Sequence, residues 1–323
     1  MREKSYGPPL LRPSIVLDGA SGDGLRFGVG ARLTFLDTGG PASEWRTDFS
    51  IGILSRLETE YYHRILGGKW LLAPRLGFTQ EPRSFFGSAG ARLAQGNERN
   101  YFGAIDAGYA FGRWQEFRVG YQRGYLKTSL NTGTTDRALP AGQYGLTHLT
   151  LRRDTRDNPL IPAKGQLAYV RMSIFHEYPL AVRPFATLEA SMDRAFPVKS
   201  KFTILAGLRG AGARRGTGFP DLFRLGGLSN LSALTRNQLT GSRMYYGHAY
   251  VLRALSQQGP VAKFYGLAGY EIGRAWLPQG SARPRHDGIA GVAGATPLGT
   301  VFVGGAVGDQ GDRKFLLRVG RVF

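Results

Sequence analysis

The closing eleven residues, RKFLLRVGRVF (313–323), decide how the whole chain is read. Phe315, Leu317, Val319 and Phe323 share one parity, in which Arg321 is the single polar member after the opening Arg313. The other parity holds Lys314, Arg318 and Gly320 beside Leu316 and Val322. Apolar residues at every second position over about ten residues suit a strand with hydrocarbon on one face and water on the other. The same period recurs upstream. In EWRTDFSIG (44–52), Trp45, Thr47, Phe49 and Ile51 oppose Glu44, Arg46, Asp48 and Ser50. YFGAIDAGYAF (101–111) sets Tyr101, Ile105, Ala107, Tyr109 and Phe111 against Asp106 and Gly108. QEFRVGYQRGY (115–125) sets Phe117, Val119 and Tyr121 against Arg118, Gly120 and Gln122.

Segments of this kind, bounded by Gly, Pro, Asn and Asp, fall at 10–20, 24–37, 43–53, 55–66, 70–85, 91–112, 115–130, 141–157, 164–178, 182–198, 201–215, 242–255, 263–278, 287–297, 299–309 and 313–323. That is about sixteen strands, an even number, as a single-chain bacterial barrel requires. A soluble β-sandwich also alternates. Here, however, the polar parity carries charges and glycines in strand after strand, and Tyr, Trp and Phe gather near strand ends, where a membrane barrel needs its interfacial girdle. The fold expected is all-β: a transmembrane antiparallel barrel over 10–323, a single domain behind a linker of residues 1–9. Short links at 67–69, 113–114, 198–201 and 297–299 alternate with long ones at 131–140, 216–241 and 279–286. Short periplasmic turns and long external loops give that pattern, and an even strand count puts both chain ends on the periplasmic side.

Composition narrows the classes. Among 323 residues there are 47 Gly, 15 Tyr and 19 Phe, and no stretch approaches eighteen consecutive apolar residues, so a helical span is excluded. With no cysteine there is no disulfide framework and no thiolate metal site. The formal charge of +19, from 42 Lys+Arg against 23 Asp+Glu, would ordinarily suggest nucleic acid. Yet the basic residues recur singly along strands, as in GVGARL, YQRGY and YVRMS, and no nucleic-acid-binding motif appears. A basic lumen and contacts with anionic lipid phosphates are expected instead. The opening MREKSYGPPLL has no apolar core and no small-residue cleavage site, so the chain is expected to be a mature or excised portion of a longer secreted precursor.

Three stretches are more specific. LRRDTRDNPLIPAKGQLAYVRMS (151–173) holds Asp154, Arg156, Asp157, Pro159, Pro162 and Gly165. The prolines fix φ in a tight turn, the glycine admits positive φ, and the acid–base run can bond the freed backbone groups. FRLGGLSNLSALTRNQLTG (223–241) lies in the longest connection, and GIAGVAGATPLGTVFVGGAVGD (288–309) contains a Pro-Leu-Gly turn. Together they resemble the BamA-type superfamily of outer-membrane assembly and translocation barrels, also called the bacterial surface antigen family. In that family the first pattern is Asp-x-Arg-Asp-x-Pro followed by Pro-x-x-Gly, and the third is the final hairpin. The second resembles the sixth external loop, which folds back into the lumen.

Phe223, Arg224, Leu225, Gly226 and Gly227 match that loop, but Leu231, Ser232, Ala233 and Leu234 stand where the family carries an Arg-bearing tip. The family arginine pairs with an acidic wall residue, whose counterpart here is Glu271, two before Gly273 in GYEIGRAW. Arg236 or Arg224 is expected to supply the missing cation, because a charge in a narrow lumen needs a partner. KSYGPPLLRPSIVLD, EWRTDFSIGILSRLETEYY, WLLAPRLGF and the Leu-Ser-x-Leu tip look like the barrel that follows the patatin-type phospholipase of certain autotransporters.

The resemblance implies protein translocation or membrane insertion in the bacterial outer membrane. It implies as partners outer-membrane lipids and lipopolysaccharide, the barrel-assembly machinery and a polypeptide passenger, with a monomer or weak homo-oligomer as the state. It also implies that the first and last strands close a weak seam, with Pro13 and Gly320 loosening the pairing and Phe323 ending the assembly signal formed with Phe315, Leu317 and Val319. Nucleic acid, metal and cofactor are not expected. A passive anchor, an anion-preferring porin, or the membrane part of a phospholipase whose catalytic domain lies elsewhere are the alternatives. No Gly-x-Ser-x-Gly elbow occurs: Ser88 has Phe86 two residues before it. His63, His148, His176, His248 and His286 are dispersed without metal spacing. A wall Ser–His pair such as Ser173 with His148 lacks an adjacent motif, so no catalysis is expected from the chain itself.

Overall fold

A computed structural model describes residues 9–65, 68–87, 90–199, 201–214, 222–255, 263–277, 282–296 and 299–320. Its strands are β1 (Leu10–Ala20), β2 (Gly24–Leu36), β3 (Ser43–Gly52), β4 (Ser55–Ile65), β5 (Trp70–Phe86), β6 (Arg92–Phe111), β7 (Gln115–Gly133), β8 (Ala141–Asp154), β9 (Gly165–Glu177), β10 (Phe185–Lys199), β11 (Phe202–Arg214), β12 (Phe223–Leu225), β13 (Leu239–Gly241), β14 (Arg243–Ala254), β15 (Lys263–Trp276), β16 (Arg285–Thr296), β17 (Gly299–Gly308) and β18 (Arg313–Gly320). Sixteen of them form a closed antiparallel barrel in which each strand pairs with its neighbours in sequence, β11 pairs with β14, and β18 closes on β1. The remaining two, β12 and β13, form a separate ribbon. Every expected segment is a wall strand, displaced by a few residues at most.

Period two explains which side chains face out. Trp45, Phe49 and Ile51 of β3 are about half exposed, as are Leu57 of β4, Leu76 of β5 and Ile105 of β6. A surface this apolar is stable only against hydrocarbon. Aromatic rings mark two levels along it. Trp70 and Tyr109 stack edge-on at 5.2 Å, and Phe78 and Tyr101 lie 4.8 Å apart. Tyr109 and Tyr101 are eight residues apart on β6, about 27 Å of strand, which tilt reduces towards the ~25 Å apolar band of a membrane barrel.

Two compact parts of the chain have different interiors. In the first, which includes Gly28–Arg152 and Arg171–Ala186, inward side chains form a ladder of ion pairs. Arg32 makes a fork to Asp48 at 2.6 and 2.8 Å, Arg56 binds Glu58 at 2.6 Å, and Arg46 contacts Glu60. Arg75 approaches Glu58 at 3.5 Å, and Arg118 bonds Glu116 and reaches Asp106 at 4.0 Å. This stretch departs from the expected basic lumen. Its cations alternate with carboxylates, because a desolvated charge is tolerated only beside its opposite.

In the second part, Ile15–Phe27, Arg153–Val170 and the chain beyond Thr187, the interior holds an apolar cluster beside its charged groups. Leu205, Tyr250, Leu252, Leu267, Ile289, Phe302 and Leu316 pack into one cluster with Ala233 of the inserted segment. That cluster explains Leu316, the apolar residue on the polar parity of the last strand.

Candidate functional site

The inserted segment enters the lumen as the ribbon β12–β13, capped by a tight tip. Phe223 and Leu225 on β12, with Leu231 and Leu234 at the tip, pack against Met244, Tyr246 and Ala275 of the wall. Gly226 is obligatory here. Its φ is +125°, and a Cβ would sit 2.1 Å from the Thr235 carbonyl oxygen. The Gly226 N–H donates to the Asn230 carbonyl at 2.7 Å and that of Gly227 to the Leu234 carbonyl at 3.2 Å, closing the tip on itself.

Glu271 is fully buried on β15, and the tip is fastened to it. Its carboxylate accepts the Ser232 N–H at 2.5 Å, the Ser232 hydroxyl at 3.1 Å and the Tyr246 hydroxyl at 3.0 Å, and it also bonds the Tyr250 hydroxyl. Asp287 on β16, Cα partner of Glu271, accepts the Ala233 N–H at 2.7 Å. Two carboxylates directly opposite each other repel; the two peptide donors of the tip draw one to each. Gly273 makes room, since a Cβ there would stand 3.1 Å from a Leu231 methyl.

The expectation of a cation on Glu271 is therefore corrected. Hydroxyls and a peptide N–H do that work. Arg236 instead lines a cavity of about 220 Å³ with Asp18 and Arg318, and Arg224 stands opposite Thr240 in the ribbon. Tyr246, Tyr250 and Asp287 were not singled out from sequence. A signal existed: in YGHAY (246–250) both tyrosines occupy the inward parity, where a wall in water has little reason to place two rings.

The turn at 155–164 follows its expected chemistry. Asp157 accepts the Ala163 and Lys164 N–H groups at 3.0 and 3.2 Å, and Arg156 forks onto Asp154 with both bonds at 3.0 Å. Gly165 has φ +97°. Pro159 lies in the exposed bend, whereas Pro162 is buried beside Ile161, which joins the apolar cluster of the second part. Rather than merely capping the rim, the turn sends a side chain inside.

The seam joins the first and last strands. Among the described residues, β1 pairs with β18 along Leu17–Val319, Asp18–Arg318, Gly19–Leu317 and Ala20–Leu316. Gly320 has φ +113°, and Pro13 lies outside the paired stretch. Phe315 projects outward, 59% exposed; Phe323, Arg321 and Val322 lie outside the described residues. One end is clasped: the Lys314 ammonium binds Asp23 at 2.5 Å and the Thr235 hydroxyl at 2.9 Å, joining the last strand, the first hairpin and the inserted segment.

His148 and Ser173 are both buried. His148 Nε2 lies 2.7 Å from Asp106 across Gly120, its Nδ1 has no partner among the described residues, and the Ser173 hydroxyl accepts from Arg171 at 3.3 Å. The Ser–His hydrogen bond that a nucleophile needs is not formed.

No protein-family model and no curated protein matches the chain. Solved structures do resemble it. BamA from Haemophilus ducreyi lacking POTRA domains 1–3 is similar with a TM-score of 0.72 at 12% identity, over 97% of this chain and 70% of that one. CdiB from Escherichia coli is similar at 0.66 and 13%, over 100% of this chain and 64% of that one. CdiB from Acinetobacter baumannii is similar at 0.64 and 10%, over 98% and 60%. The chain thus spans less than two thirds of either CdiB. The likeness establishes the fold, a closed barrel of sixteen antiparallel strands.

Proposed function

We propose that this chain is a bacterial outer-membrane barrel of the BamA-like superfamily, with both ends periplasmic, which moves or inserts polypeptide by opening its seam. The passenger is a patatin-like phospholipase, as the N-terminal resemblance suggests, and the barrel itself supplies no catalytic group. The observation that carries the reading is a closed wall whose first and last strands, β1 and β18, meet in one antiparallel seam. A seam strand released from its partner can offer its ladder bonds to an incoming strand, which is β-augmentation. The clasp of Lys314 on Asp23 and Thr235 makes the inserted segment a brace for the closed state. The outward apolar belt and the folds of BamA and CdiB support the placement.

Because the sequence has no cysteine, Leu17→Cys with Val319→Cys introduces the sole thiols, at positions that are Cα partners across the seam. Oxidation should abolish passenger delivery and reduction restore it. Delivery that persists with the disulfide quantitatively formed rejects the opening seam. Planar-bilayer recordings address the porin alternative: a large steady anion current in the wild type would favour it.

A further inference from the structure

We infer that the outer wall of β3–β8 is a binding site for a phosphorylated, multiply acylated lipid, with Arg99 and Lys127 holding the phosphate. Arg99 on β6 and Lys127 on β7 are Cα partners, and both are exposed on the outward face. Like charges directly opposite each other on one face of a sheet are destabilising. Neither finds a carboxylate among the described residues; the recorded partner of Arg99 is the neutral Gln80 side chain, at 2.8 Å. An anion seated between the two converts that repulsion into a bridge.

The level is right for a headgroup. One rung towards the chain ends stand Tyr101 and Tyr125, Cα partners in the upper aromatic girdle. One rung further is Arg123, opposite Gly103 and bonded to Gln143 at 2.8 Å, with Glu177 at 3.8 Å. Arginine on a lipid-facing wall is costly at the midplane and cheap near the interface, so this column of Lys127, Tyr125 and Arg123 marks where lipid phosphates lie.

Below the cations runs an open groove of about 860 Å³, lined by Leu57, Leu76, Phe78, Tyr101 and Tyr125 and shallowest in side chains at Gly103. It extends from Thr47 on β3 to Gln143 on β8, roughly 24 Å at the usual strand spacing. A width of five strand intervals admits several acyl chains abreast, which favours a lipid A-type glycolipid over a two-chain phospholipid. The inference rests on the proposed orientation, which puts this girdle in the outer leaflet.

The test is native mass spectrometry of the detergent-purified barrel with three probes: diphosphorylated lipid A, phosphatidylglycerol and phosphatidylcholine. Wild type should retain one lipid A and little of the others. Arg99→Glu with Lys127→Glu should weaken retention roughly tenfold or more, given about 1 kcal/mol per basic residue at a membrane surface. Gly103→Leu, which alters no charge, should weaken it by filling the groove. Both variants should keep wild-type heat-modifiable migration; if one misfolds, Lys127→Gln replaces it with the same direction expected. Equal retention of phosphatidylglycerol, or retention unmoved by either variant, overturns the site. A cysteine placed in 134–140 and labelled on intact cells checks the orientation separately. Labelling only after lysis defeats the placement, whereas surface labelling without lipid A retention defeats this inference alone.

Discussion

The stretch β2–β7 and the stretch β14–β18 share one outward rule and differ inside. Both alternate with period two, and both show apolar residues outward. Inside the first, Arg32, Asp48, Arg56, Glu58 and Arg75 hold each other. Inside the second, Leu252, Leu267, Phe302 and Leu316 pack with Ala233, and the two buried carboxylates take their donors from the inserted tip. The membrane dictates the outer face of a barrel and leaves its lumen free. The first stretch satisfies its lumen strand by strand; the second depends on a segment distant in sequence.

The largest effect should come from denying the tip its backbone. In Gly226→Val a Cβ meets a carbonyl oxygen at 2.1 Å, at a φ of +125° that valine does not tolerate. The cost should be about 3 kcal/mol or more. The contrasting change is Gly120→Ala, whose Cβ meets only the side-chain ends of Asp106 and His148. Those can swing aside, and the cost should be about 1–2 kcal/mol. Urea unfolding in lipid, followed through Trp276 as the single remaining tryptophan for the first variant and Trp114 for the second, measures both. Equal losses would erase the distinction between the two interiors.

Next in size is Glu271→Ala. It removes the acceptor of the Ser232 N–H and of both tyrosine hydroxyls, which still bond each other at 3.0 Å, so a loss of about 2–3 kcal/mol is expected, with Glu271→Gln retaining part of it. The accompanying readout is hydrogen exchange over 226–238, which should accelerate in the alanine variant. Exchange that stays at the wild-type rate would mean that apolar packing alone seats the tip.

Much of the wall was legible because its rule is local. In 44–52 each side chain declares its face, and β3 runs from Ser43 to Gly52 as that pattern requires. The turn at 155–164 was legible for the same reason, since Asp157, Pro162 and Gly165 act within ten residues of one another. The partner of Glu271 was not. Ser232 lies 39 residues before it, and Asp287 and Tyr250 bear on the same site from two other strands. Alternation assigns each of these a face but not a neighbour. The expectation of a cation followed from charge matching alone, whereas a buried carboxylate is equally served by several neutral donors. The ladder of the first stretch was half legible: Arg46 and Asp48 could be placed inward, but their pairing with Glu60 and Arg32 depends on register.

The smallest effect should be found in that ladder. Arg32 forks onto Asp48, but its side chain is 47% exposed. Arg32→Ala should therefore cost under about 1 kcal/mol, because water and salt screen a pair so open to solvent. Raising salt to about 1 M, where the Debye length falls to about 3 Å, should shrink even that difference while leaving the Glu271→Ala penalty unchanged. Urea midpoints of wild type and the two variants at low and high salt decide the matter. A salt-sensitive Glu271→Ala penalty would show that the inserted tip is held by long-range charge after all. A large, salt-insensitive Arg32→Ala penalty would show that the ladder is as desolvated as the packed stretch, and that period two had hidden one kind of interior rather than two.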